Sequence, residues 1–119
     1  MNQNANKYST LENILKIGDC KIPFEYRIDD IVEVFDMLIV VLEHLQGVIF
    51  NENVFGVSLT EKKIKWQIAK LKYGAEVNCP FVGAKLHNNR IHLNNWCDIY
   101  LIVDPLTGEI LERSLPAKS

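Results

Sequence analysis

The last forty or so residues are punctuated as a series of β-hairpins, and no other feature restricts the fold as tightly. Residues 81–86 read as a strand that runs into His87-Asn88-Asn89-Arg90. Asparagine tolerates the left-handed backbone that a two-residue hairpin loop demands, so this tetrapeptide predicts a tight reversal. Residues 91–96 and 98–103 read as the next two strands, and Asp104-Pro105-Leu106-Thr107-Gly108 as a second reversal. There Pro105 presets φ at the first corner, Asp104 can accept a hydrogen bond within its own turn, and Gly108 takes a positive φ without a Cβ clash. Residues 109–115 complete an antiparallel meander.

Upstream the same grammar continues. Residues 53–59 and 64–68 form a strand pair around a turn at 60–63, with Ile64, Trp66 and Ile68 on one face. Residues 27–45 carry an acidic start that would suit a helix, but their β-branched and aromatic content favours two strands meeting at Phe35-Asp36-Met37. The second of these, Met37 to Leu42, is a buried-strand run. Pro23 confines residues 22–26 to a sheet edge or a strand start. Residues 10–17 allow a short helix or a strand, residues 46–53 and 70–78 read as loops, and residues 1–9 as a disordered tail. The expected fold is mainly β: one domain over residues 10–119, with seven to nine short strands in two small packed sheets of blade-like hairpins. Each half contributes one tryptophan, Trp66 and Trp96, which facing sheets would bury.

Charge is unevenly placed. Residues 12–52 hold nine acids against three bases, and residues 62–90 hold seven bases against one acid. The net charge of −2 gives no nucleic-acid footprint. The start of the chain lacks the apolar core of a signal peptide, and no run reaches the roughly 18 apolar residues of a spanning helix, so a cytoplasmic protein is expected. Cys20, Cys79 and Cys97 make an odd count without a CxxC, which predicts reduced thiols rather than a disulfide framework.

Cys79, His87, His92 and Cys97 have the donor types of a zinc site, but they lack a closely spaced cysteine pair and lie beside Lys85 and Arg90. No metal or other cofactor is expected. Cys97 with His92 is the one imaginable nucleophilic pair, and no local signature accompanies it. If Asn88-Asn89 is the hairpin loop, His87 pairs with Arg90 and Lys85 with His92, which puts all four on one face.

Several short stretches, namely Asn53-Val54-Phe55-Gly56-Val57, Trp66-Gln67-Ile68, Pro80-Phe81-Val82-Gly83, Asn95-Trp96 and the run from Val103 through Gly108 to Leu111, resemble small β-rich immunity proteins of bacterial polymorphic-toxin and contact-dependent inhibition systems. The resemblance covers about half the chain. It departs from the pattern after Trp96, where Cys97-Asp98 replaces a glycine. It implies a protein that binds one cognate toxin C-terminal domain and blocks it, with no catalysis, membrane or nucleic acid involved. Many such toxins are nucleases with a basic cleft, which an acidic surface would mimic electrostatically. The candidate surface is Glu25, Asp29, Asp30, Glu33 and Asp36, with Glu43 and Glu52 as extensions; the alternative is the basic hairpin of Lys85, His87, Arg90 and His92. A ligand- or nucleic-acid-binding β module and a Cys/His enzyme are the other classes the residues allow.

Overall fold

The computed structural model describes residues 7–71 and 78–114. Its strands in chain order are β1 (Tyr8–Leu11), β2 (Ile14–Ile17), β3 (Cys20–Pro23), β4 (Ile28–Val34), β5 (Met37–Leu42), β6 (Val54–Ser58), β7 (Lys63–Gln67), β8 (Phe81–His87), β9 (Arg90–Asn95), β10 (Tyr100–Val103) and β11 (Ile110–Ser114). They form three antiparallel sheets, each a meander of consecutive strands: β1 to β3, β4 to β7 and β8 to β11. The fold is all-β, as the hairpin grammar implies, but with three sheets where two were expected.

Strand β5 explains the layering. A strand with one wet face alternates apolar and polar residues, whereas one covered on both faces reads as an unbroken apolar run. All six residues of β5 are buried. Met37, Ile39 and Val41 enter one core with Phe81, Ala84, Ile91, Leu93, Leu101 and Val103 of the C-terminal sheet. Leu38, Val40 and Leu42 enter a second core with Leu15, Ile17, Ile22 and Phe24 of the N-terminal sheet and its exit. The middle sheet is therefore the shared wall between two cores.

The turns follow the sequence chemistry closely. Asn88 and Asn89 have φ of 51° and 60°, and the flanking register is His87 to Arg90 and Lys85 to His92. At the second reversal Asp104 Oδ1 accepts the Leu106 N–H at 2.8 Å, and Gly108 sits at φ 77°. Strands β4 and β5 meet at Phe35-Asp36, with Val34 opposite Met37. Pro23 ends β3, an edge strand. Residues 14–17 are a strand rather than a helix. Strand β1 starts at Tyr8, inside the segment expected as a tail. Residues 1–6, most of the loop expected over 70–78, and Leu115 lie outside the described residues.

Trp66 locks the middle sheet to the C-terminal one. Its ring lies against Gly56, its cross-strand partner, and against Gly108 of the β10–β11 turn. A Cβ on Gly56 would come within 2.2 Å of the ring, and one on Gly108 within 2.5 Å. The indole N–H donates to the Pro105 carbonyl at 2.9 Å. Asn53, fully buried, makes a second lock. Its amide donates to the carbonyls of Leu42 (2.9 Å) and Phe81 (2.8 Å), and its Oδ1 accepts the Phe81 N–H at 2.9 Å.

Candidate functional site: the solvent face of the C-terminal sheet

The register of the C-terminal sheet aligns its outward residues in rows. Lys85, His92, Ile102 and Glu112 are directly opposed across β8, β9, β10 and β11. His87 and Arg90 flank the turn, and Asn94 opposes Tyr100. Ala84, Ile91, Leu93, Leu101 and Val103 alternate with them and are buried, so the core fixes which side chains face water.

These outward groups touch. The His87 and His92 rings meet edge to face with centroids 5.4 Å apart. The Tyr100 hydroxyl and His92 Nδ1 are hydrogen-bonded to each other, which holds the His92 ring in place. An open hollow of about 500 Å³ lies here, with His87, Asn88, Arg90 and His92 on one side and Ile102, Leu111 and Glu112 on the other. Lys85, His87 and Arg90 are exposed and His92 is half-buried. Neither Lys85 nor Arg90 forms an ion pair among the described residues. The face presents up to four cationic donors opposite a single carboxylate, an arrangement suited to an anionic group.

The acids of the N-terminal half are placed differently. Asp36 accepts hydrogen bonds from the Thr60 hydroxyl (2.8 Å), the Thr60 N–H (3.2 Å) and the Ser58 hydroxyl (3.0 Å). The Thr60 hydroxyl bond is the largest influence on its carboxyl, burial opposes it in part, and the net effect holds the group below its ordinary value of 3.8. Asp36 is thus a buckle between the β4–β5 and β6–β7 turns. Asp30 accepts the Ile31 N–H at 2.9 Å and the β8 Ala84 N–H at 3.4 Å. Glu33 pairs with Lys7 at 2.7 Å. Asp29 is the extra residue of a bulge between Ile28 and Asp30 and is exposed, as is Glu25. Of the five acids, Glu25 and Asp29 alone have no partner among the described residues.

The cysteines overturn one expectation. Cys79 and Cys97 form a disulfide, with Cα atoms 5.6 Å apart, and Cys20 is the free thiol. The hairpin itself brings them together: a register shift between Phe81 and Ala84 makes Phe81 oppose Asn95, which carries Cys79 toward Cys97 just beyond. While bonded, Cys97 supplies no thiolate to a Cys/His pair. The four residues weighed as zinc ligands are split, with the cysteines at the open end of the hairpin and the histidines toward its turn. Among the described residues no group of three or more His, Cys, Asp or Glu is placed to hold a metal.

The loop after β9 accounts for the missing glycine. Asp98 adopts φ 63°, the left-handed conformation a glycine would take freely. Asn95 Oδ1 caps the loop by accepting the N–H groups of Cys97 (2.9 Å) and Ile99 (3.0 Å). Trp96 is turned outward, 50% exposed, against His44 at 4.2 Å, whereas Trp66 is 9% exposed. The expectation that both tryptophans are buried holds for Trp66 alone.

Nothing in the sequence marks Asn51, whose Oδ1 accepts the Cys79 N–H at 2.7 Å, or Asn53 as clamps to residues 28 positions away, or Asn95 as the cap of its own loop; asparagines read as turn formers. No helix among the described residues is long and apolar enough to cross a membrane. No curated protein and no solved structure matches the chain. A family model described as Domain of unknown function (DUF7957) matches residues 5–115, nearly the full length, and the chain belongs to that family.

Proposed function

We propose that the protein acts by binding rather than by catalysis, as an immunity-type inhibitor that covers a toxin domain encoded beside it, and that it docks through the solvent face of the C-terminal sheet. One observation carries the choice of face: Lys85, His87, Arg90 and His92 converge on it without ion pairs among the described residues. The acidic candidates support docking less well, because Asp30, Glu33 and Asp36 already serve the fold. A rigid sheet face suits inhibition, since little ordering entropy is lost on binding.

Such an inhibitor works in the cytoplasm, where thiols are kept reduced. The reading therefore needs the face to persist with Cys79 and Cys97 reduced. Five cross-strand pairs join β8 to β9 independently of that bond, which supports it. Co-expression with the C-terminal toxin domain of the adjacent gene tests the proposal. Protection of the cells, with a stoichiometric complex in reducing buffer, is the expected result. Unprotected cells and no complex would remove the immunity reading.

A further inference from the structure

We propose that the hollow beside His87, Arg90 and His92 is a binding site for a phosphate monoester, with affinity set by protonation of the two histidines. The site uses the docking face but does not rest on the docking reading, and its test needs no partner protein.

The donors come from two adjacent strands and the turn between them. His87 opposes Arg90, Lys85 opposes His92, and the Asn88 side chain borders the same hollow. Guanidinium and imidazolium groups make the strong, charge-assisted hydrogen bonds that phosphate oxygens accept. With Nδ1 engaged by Tyr100, His92 has Nε2 left for a ligand. The two rings lie 5.4 Å apart, close enough for both to reach one tetrahedral anion.

The opposite wall narrows the ligand class. Glu112 repels a second anionic group and accepts hydrogen bonds from hydroxyl or amino donors, while Ile102 and Leu111 offer apolar contact. At about 500 Å³ the hollow exceeds what a bare phosphate ion needs. A phosphate at the histidine end, carried on a sugar or nucleoside that spans to Glu112, satisfies both walls.

Lys85, Arg90, Glu112 and the Tyr100 hydroxyl are the other ionisable groups facing the two rings, and of these side-chain types imidazole is the one that ordinarily changes charge between about pH 5.5 and 8. Sulfate keeps a constant charge over that range, so a pH effect on its binding reports on the protein.

The experiment follows the imidazole C–H resonances of the intact protein by NMR, with His44, remote at Trp96, as internal control. Inorganic phosphate, adenosine 5′-monophosphate and adenosine are titrated at pH 5.5, and sulfate at pH 5.5 and 8. The expected result is saturable shifts at His87 and His92 but not His44, with the nucleotide tighter than phosphate and adenosine silent. Sulfate should bind about tenfold or more weakly at pH 8. Arg90→Gln, checked for folding by circular dichroism, should abolish the effect at both rings, and His87→Gln, checked the same way, should abolish it at His92. Unmoved histidines, equal sulfate affinity at both pH values, or full binding by folded Arg90→Gln would overturn the proposal. Phosphate binding that the nucleotide does not improve would overturn the assignment to a monoester.

Discussion

Three alanine substitutions separate the two demands that Trp66 places on its neighbours. Gly47 has φ 79° with nothing within 4 Å of an added Cβ, so Gly47→Ala carries only the backbone term. An L residue in the left-handed region costs about 1–2 kcal/mol. Gly56 lies outside that region, but its added Cβ would sit 2.2 Å from the indole. Gly56→Ala therefore carries only overpacking, about 1–3 kcal/mol, toward the upper end because Trp66 is buried and tethered to Pro105. Gly108→Ala carries both, φ 77° and a 2.5 Å approach to the same ring, for about 2–5 kcal/mol. Urea denaturation of the three proteins gives the differences directly. In a Trp66→Leu background the penalties at Gly56 and Gly108 should shrink while that at Gly47 stays, the signature of coupled neighbours. If Gly56→Ala and Gly108→Ala cost no more than Gly47→Ala, or if their penalties are undiminished by loss of the indole, Trp66 does not lock the two sheets through these glycines.

Further outcomes follow from other contacts. Asn53→Ala strands two carbonyls and an N–H in the core, and should cost at least about 3 kcal/mol by the same denaturation assay. Replacing both Cys79 and Cys97 by Ser removes a crosslink across 18 positions, and should lower stability in oxidising buffer by about 3 kcal/mol on the loop-entropy account. Under dithiothreitol the wild type should lose that advantage, and a variant as stable as the oxidised wild type would show that the bond contributes nothing. Asp36, held below its ordinary value chiefly by the Thr60 hydroxyl, stabilises the fold above the unfolded carboxylate range. That contribution is lost as pH falls from about 4 through the depressed value, so Asp36→Asn should flatten the acid limb of a stability–pH curve.

Much of the architecture was legible because it is local. Asn88-Asn89, Asp104-Pro105 and Gly108 carry turn chemistry in their own side chains and φ preferences, and those turns fix the C-terminal register. That register also placed Lys85, His87, Arg90 and His92 on one face. The number of layers was less legible. Met37–Leu42 announces burial on both faces, but nothing in the run says that the second cover is the short β1–β3 meander. The disulfide was hidden by one residue. Uniform pairing from the turn sets Pro80, not Cys79, opposite Cys97, and the bulge near Gly83 supplies the shift. The acidic segment misled because sequence proximity says nothing about partners. Asp36 and Glu33 meet Thr60 and Lys7, each more than twenty positions away.

The proposed docking face is tested most directly by association rates with the toxin domain that the immunity proposal assigns to the adjacent gene, measured at two salt concentrations. Lys85→Glu/Arg90→Glu should slow association, flatten its salt dependence and abolish protection of co-expressing cells. Glu25→Lys/Asp29→Lys, which alters the two acids without partners among the described residues, should leave rate and protection near wild type. Loss of protection by the acidic-site pair, with the basic-site pair still protective, would contradict the assignment and return the interface to the N-terminal half.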